Sequence, residues 1–377
     1  MSFRLAEVND SKTESYFFDL PFFIYSNDQN WVCPLLPEIR AIFDKAKNPF
    51  LKDGTCCRWV LFDNKSGIAV GRIAAYAGNC NKSTQGSVGF FECINQQEAA
   101  NILFKNALDW LTQKGMYSAW APVNFGERDR YWGLFVDGVK QPSYQENYNP
   151  EYYRGLYEGF GWLKEFEQTT YILHSGEFNS ERFGKIAQRV FANQAVTFVP
   201  FERRKKQIFA DYLTVIYNAA WRQRDKEKFV SLDTERVMEL INDMLPLIVD
   251  RWVWFAFYNG NPAGVFVNIR DLNPMIKPLA GKWNLLAKIQ VKFKLLTNDP
   301  TSSRGILFGI VPEYQNMGIE SGLIMKAFRE IENCKSVKYA ELAWIGDFNP
   351  RMQKLLHATG AKPGKIHYTY YYRINKK

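Results

Sequence analysis

The feature that most restricts how this chain can fold is an internal duplication. Tyr117-Ser-Ala-Trp-Ala-Pro-Val123 is matched by Tyr339-Ala-Glu-Leu-Ala-Trp-Ile345, and Asn149-Pro-Glu-Tyr-Tyr-Arg-Gly-Leu156 by Asn349-Pro-Arg-Met-Gln-Lys-Leu-Leu356. Around these pieces both halves read in one order: strand, two helices, hairpin, strand, helix, strand, short helix, strand. In the first half the hairpin falls at 58–62 and 68–76 about a glycine turn. A long helix follows at 98–114, with Ala100, Leu103, Phe104, Ala107, Leu108 and Leu111 at helical spacing. In the second half the hairpin falls at 252–258 and 263–269, and residues 271–303 read as an irregular basic insert. The pattern predicts an α/β chain of two tandem domains, at 1–175 and 196–377, joined by a linker helix within 176–195.

One stretch of the second half carries more than architecture. Ile306, Leu307, Phe308, Ile310 and Val311 form an apolar run suited to a buried strand, and Pro312 ends it by removing a donor. Gln315-Asn316-Met317-Gly318 follows as a tight polar turn. A helix then starts near Ile319 and places Leu323, Ile324, Ala327 and Phe328 on one side. Strand, glycine turn and helix N-terminus leave unpaired amides converging on one point, an arrangement that favours phosphate. The matching place in the first half reads Asn95-Gln96-Gln97-Glu98, without glycine.

This segment resembles the acyl-CoA-binding motif of the GNAT acyltransferase superfamily, a Gln/Arg-x-x-Gly-x-Gly/Ala loop after a strand. Gln315 and Gly318 match it, and Glu320 stands where a small residue is expected, either turned outward or weakening the cofactor. The element order is also that of the GNAT fold, so the resemblance spans the chain as a tandem pair, similar to tandem acetyltransferase-like proteins of bacteria. It implies acetyl-CoA or another acyl-CoA as co-substrate and no metal. Phe308, Ile310 and Val311 would line the pantetheine, an amide of Ile310 or Val311 polarising the acyl carbonyl. Gln315, Asn316, Met317, Gly318, Ile319 and Glu320 would surround the pyrophosphate, and Asn349 would open the helix near the thiol. The family commonly places a tyrosine seven positions after that asparagine, to protonate the leaving thiolate; here Leu356 stands there, followed by His357.

For a base acting on an ammonium acceptor, Glu341 and Asp347 border the strand at 339–345, with Asp271 and Glu92 as further carboxylates. The implied activity is acyl transfer to the amine of a small molecule or peptide. A non-catalytic CoA-binding or interaction protein is the first alternative, and the aminoacyl transferases of the Fem family, which also pair GNAT folds, are the second. In the acyl-transfer reading the first half is expected to keep the fold, lack the cofactor and shape the acceptor site through Glu127 and Asp129.

Charge is unevenly placed. The net +9 belongs to the second half, since residues 1–190 hold 20 basic against 22 acidic side chains. That excess suits an anionic cofactor; nucleic acid is a weaker explanation, because the basic run at 203–206 has no interleaved aromatics. The six cysteines show no metal-type spacing and make a poor disulfide framework. With no apolar run long enough for a membrane span and no signal-type N-terminus, the expectation is a cytoplasmic chain without a membrane partner.

Overall fold

A computed structural model describes residues 2–78, 83–125, 130–222 and 231–374. The first half contains β1 (Phe3–Glu7), α1 (Ser11–Ile24), α2 (Leu36–Ile42), β2 (Thr55–Asp63), β3 (Ala69–Ala77) and β4 (Gln85–Cys93). It continues with α3 (Gln97–Gln113), β5 (Ser118–Ala121), β6 (Leu134–Gly138), α4 (Tyr153–Phe160) and β7 (Leu163–His174). The second half opens with α5 (Ser180–Phe191), β8 (Val196–Pro200), α6 (Lys206–Arg222), α7 (Thr234–Met244), β9 (Ile248–Tyr258) and β10 (Asn261–Arg270). It closes with α8 (Asn273–Ile276), α9 (Leu285–Thr297), β11 (Ser302–Ile310), α10 (Ile319–Asn333), β12 (Tyr339–Gly346), α11 (Pro350–Thr359) and β13 (Lys362–Arg373).

Local chemistry fixes the ends of these elements. Asp10 and Thr13 form a reciprocal capping box at α1, and Asp233 and Asn284 cap α7 and α9 with side-chain oxygens. Gly360, left-handed at φ +98, stops α11.

Among the described residues all thirteen strands lie in one sheet, in the order β1-β2-β3-β4-β5-β13-β7-β12-β11-β10-β9-β8, with β6 also on β13. The order shows an exchange between the halves. β7, the last strand of the first half, pairs with β12 of the second, His174 opposite Tyr339. β13, the last strand of the chain, pairs with β5 of the first, Tyr370 opposite Ala121. The two exchanged strands pair with each other along the seam. Each half therefore leaves an open sheet edge that the other covers.

Helices clad both faces. α3 packs on the first half's sheet through Ala100, Leu103, Phe104, Ala107 and Leu111, all fully buried, and α1 and α2 cover the opposite face with Phe17, Phe18 and Ile39. In the second half α10 and α5 share one core, and α6, α7, α8 and α9 share the other. The stretch read as a linker is part of that packing: Phe183, Ala187 and Val190 of α5 are buried against α10.

Two expectations change. Residues 271–303 are not irregular, because Ala287 and Val291, four apart, bury one side of a regular α9 that the intervening lysines obscured in the sequence. Leu134–Gly138, which the element order leaves out, forms β6 through its pairing with β13, a partner distant in sequence.

Candidate active site

The site begins where two parallel strands part. β11 pairs with β12 only from Ser302–Gly305 opposite Tyr339–Leu342. On its other edge β11 carries a bulge at Ile306, since Val267 lies opposite Leu307 and Asn268 opposite Gly305. Past that point a gap opens between β11 and β12. Ile306, Leu307 and Phe308 on one side and Ala343, Trp344 and Ile345 on the other are only half-buried.

The register decides which amides face the gap. The Val311 amide donates to the Ala263 carbonyl at 2.9 Å, so 263 and 311 form a hydrogen-bonded antiparallel pair. Alternation along the ladder then turns the amides of Ile310 and Phe308 toward the gap. Of the two amides expected to meet an acyl carbonyl, Ile310 faces the gap and Val311 is committed to the sheet.

Beyond the gap the chain makes one 3-10 turn at Pro312–Tyr314 and reaches the phosphate-type loop. Asn316 at φ +64 and Gly318 at φ +80 are both left-handed, and α10 starts directly after. The first bonds of α10 run from the amides of Ser321 and Gly322 to the Gly318 carbonyl, which places the amides of Ile319 and Glu320 ahead of the helical ladder. A side chain at Gly318 would be strained by its φ, and its Cβ would lie 2.8 Å from Val190 Cγ2. Met317 is exposed and Ile319 is fully buried. Gln315 donates to the Ile310 carbonyl at 3.2 Å, tying the loop to the strand. Glu320 is not turned outward: its Oε2 is buried and has no hydrogen-bond partner among the described residues.

Arg351, which sequence reasoning missed, completes this loop. From α11 its guanidinium donates to Gln315 Oε1 at 2.9 Å and to Asn316 Oδ1 at 2.8 Å. A signal existed: an arginine in the first turn of a helix opposes the helix dipole and calls for another reason to be there. Asn349 caps the same helix, its Oδ1 accepting from the Met352 amide at 3.4 Å. Leu356 is buried in the core, so α11 offers no hydroxyl at that position. His357 is exposed, with Nε2 3.4 Å from the Tyr171 hydroxyl.

The two candidate bases are not brought together. Glu341, 2 % exposed, lies one register step before the strands part. Its Oε2 accepts from Lys365 Nζ at 2.7 Å and its Oε1 from Ser143 Oγ at 2.6 Å. Lys365 also meets Glu146 at 2.6 Å, and Arg304 stands 4.0 Å from Glu341 while donating to the Tyr144 carbonyl. Burial opposes the charge on Glu146, but Lys365, His367 and Arg304 outweigh it and hold the carboxyl down to about 2. Lys365 is buried as well, yet Glu146 and Glu341 keep it above the ordinary lysine range. Asp347 is exposed at the far end of β12, where it accepts from the Glu167 amide at 3.1 Å.

Asp271 stands apart from both. Its Oδ1 accepts from the amides of Tyr144 at 2.9 Å and Asn273 at 3.1 Å. Burial first, and then the charge on Glu341, push its carboxyl up to about 6.

The first half holds a cavity of about 110 Å³ between its sheet and α8, lined among others by Arg72, Phe90, Glu92, Tyr144 and Tyr148. Glu92 accepts from the hydroxyls of Tyr25 at 2.9 Å and Tyr153 at 2.7 Å, and Arg72 meets it at 3.2 Å. Burial raises its carboxyl, with Arg72 opposing. Glu127 and Asp129, the expected acceptor-site carboxylates, lie outside the described residues. In the basic run, Arg203 bonds the Leu245 and Ile248 carbonyls and pairs with Asp250, a structural use of that charge. Among the described residues no group of three or more His, Cys, Asp and Glu side chains is placed to hold a metal ion.

No family model matches the chain. It is 24% identical over 364 residues to the bacterial ceramide synthase of Caulobacter vibrioides, covering 94% of this chain and 93% of that one. It is also 24% identical over 372 residues to protein YghO of Escherichia coli, covering 96% and 92%. Among solved structures it resembles a tandem GNAT protein from the clavulanic acid biosynthesis pathway, with TM-score 0.58, 12% identity and coverage of 100% and 99%. A GCN5-related N-acetyltransferase from Sphaerobacter thermophilus matches with TM-score 0.50, 10% identity and coverage of 100% and 96%. This chain has the tandem GNAT fold, its two halves built on one shared sheet.

Proposed function

We propose that this protein is an acyl-CoA-dependent N-acyltransferase that seats its donor in the second half and acylates the amine of a long-chain amino alcohol. The observation that carries the donor is the parting of β11 from β12, ending in the left-handed Asn316 and Gly318 at the start of α10. The loop amides with Arg351 take the pyrophosphate, and the pantetheine runs back from them along the parted stretch of β11, within reach of the gap-facing amide of Ile310 and then that of Phe308, which meets the acyl carbonyl. The acceptor class is supported by the near full-length similarity to a ceramide synthase, ceramide being the amide of a fatty acid with a long-chain amino alcohol.

In the reaction the amine nitrogen attacks the thioester carbon, the C–S bond breaks, and the thiolate takes its proton from water. The ammonium must first lose a proton. Water in the gap accepts it, because Glu341 is held by Lys365 and Ser143, and Asp271 follows Arg270, whose partner Ser303 lies at the closed end of the β11–β12 pairing. The buried, unpaired Glu320 oxygen supports a second reading, a CoA-binding protein without turnover. Release of CoA thiol, measured across acyl-CoAs of rising chain length with a long-chain amino alcohol or a short amine, separates the two. Turnover restricted to the short amine overturns the acceptor class. No calorimetric heat and no thermal shift with CoA at millimolar concentration overturns the donor site.

A further inference from the structure

Helix α9 is apolar on two opposite sides. At about 100° per residue, Ala287 and Val291 point into the core, while Leu285, Leu286, Ile289, Phe293 and Leu296 point the other way. That outer side is exposed, from 56% at Ile289 to 77% at Leu296. Lys288 and Lys292 border it on one flank and Gln290 and Lys294 on the other. The whole stretch 272–298 contains five lysines and no aspartate or glutamate. A solvated helix has no reason to present five large apolar side chains to water on one continuous face.

We propose that α9 is a membrane-surface anchor that lies flat in the headgroup layer of an anionic phospholipid bilayer. Its outer apolar stripe enters the acyl boundary and the flanking lysines meet the phosphates, the pairing of faces expected of an interfacial helix. At 13 residues it is too short to span, and no described helix is long and apolar enough to cross a membrane. The complementary charge selects this occupant: a second copy of the chain would bring lysines against lysines. The half-buried Trp283, just before the helix, suits the interface as well. The partner departs from the expectation of a chain without a membrane. α9 shares its core with the half-buried Ile306 and Leu307, so a bilayer beneath it lies on the same face of the sheet as one wall of the cleft. The anchor itself does not rest on the acyl-transfer reading.

Vesicle co-sedimentation tests it with the full chain. Wild type is expected to pellet with vesicles of equal parts phosphatidylcholine and phosphatidylglycerol, less so at high salt, and weakly with phosphatidylcholine alone. The triple substitution Leu286→Ser, Ile289→Ser and Phe293→Ser, and separately the pair Lys288→Glu and Lys292→Glu, each lower partitioning about tenfold or more. Because every substituted side chain is exposed, the thermal midpoint is expected to hold, and CoA titration without vesicles stays unchanged. Wild type remaining in the supernatant with both vesicle types overturns the proposal. So does undiminished binding by the serine variant. Light scattering that shows a dimer made monomeric by the same serines, with no vesicle binding, overturns it in favour of a second copy.

Discussion

The two halves build the same strand junction, and only one leaves it open. β4 pairs with its parallel neighbour β5 over Gln85–Ser87, as β11 does with β12 over Ser302–Gly305. Each carries a bulge as it departs, marked in β4 by Phe90 at φ +54 and in β11 by Ile306. In the first half the gap is stitched: the Val123 amide donates to the Val88 carbonyl at 3.0 Å, and a Cβ on Gly89 would sit 1.8 Å from the Val123 oxygen. The loop into α3 has no left-handed residue, and Gln97 donates to the Leu156 carbonyl, locking α4 against it. A bulged, splayed strand is thus a property of the fold; a cleft needs the neighbouring loop to stay away and a residue that tolerates φ > 0.

The largest expected effect breaks the comparison at what the halves share. Lys365 is the buried cation that meets both Glu146 and Glu341, so Lys365→Met leaves two buried carboxylates with Arg304, 4.0 Å from Glu341, in place of two direct ion pairs. Urea unfolding is expected to show a loss of about 3–5 kcal/mol. A loss below about 1 kcal/mol would show that the seam is wet and its charges screened.

Next comes the feature the halves do not share. Gly318→Glu is expected to cost about a hundredfold or more in CoA affinity by calorimetry, through strain at φ +80, contact with Val190 and repulsion of phosphate. The wild-type stoichiometry is expected to be one CoA per chain. A stoichiometry of two would mean that the stitched gap of the first half opens.

Asp271 gives a smaller, pH-dependent effect. Its carboxyl sits at about 6 in the folded chain against 3.8 for an ordinary aspartate, so folding tightens its proton. That contribution to stability is complete below the unfolded value and is lost as pH rises through about 6. Asp271→Asn keeps an acceptor for Tyr144 and Asn273 but carries no charge. Above about pH 7 the variant is expected to be more stable by about 1–3 kcal/mol, and below about pH 4 no different. Turnover and its pH profile are expected to hold in the same variant, since Asp271 lies at the closed end of the β11–β12 pairing. A lost limb of kcat/KM near pH 6 would instead bring Asp271 into proton transfer.

Much of this arrangement was legible because it is local. Gly318 announces a left-handed turn, Asp233 a helix start, and the repeated Asn-Pro pieces a duplication, each from a few adjacent residues. The strand exchange was not legible, since β7 and β13 have the same pattern whichever half they complete. Nor was the role of Glu341 as one arm of a buried network: its partners Ser143, Glu146 and Lys365 come from distant parts of the chain. Even so, β13 places Lys365, His367 and Thr369 on its buried face, a polar alternation that belongs to a seam rather than an ordinary core. α9 hid because its lysines fall between apolar residues and blur the helical period that Ala287 and Val291 obey.

The smallest effect sharpens the contrast most, because it turns on one charge. Arg351 follows Asn349-Pro350 in the second half, and the matching Asn149-Pro150 in the first is followed by Glu151. Glu151 pairs with Lys140 at 2.6 Å, whereas the Arg351 guanidinium rests on two neutral amide oxygens of the turn. Among the described residues these neutral acceptors are the bonded partners of that cation, so a pyrophosphate in the loop gains a charge-assisted partner that the first half replaces with a carboxylate. Arg351→Ala is expected to weaken CoA about tenfold, the worth of roughly one exposed charge-assisted contact, and to flatten the salt dependence of binding. Arg351→Glu, which copies the first half, is expected to weaken it further, while Glu151→Arg creates no second site because the stitched gap remains. Calorimetry of the three variants at two salt concentrations reads all of this. Equal affinity for wild type and Arg351→Glu would mean that the phosphates lie away from α11, and that the charge difference between the halves has no part in choosing where the donor sits.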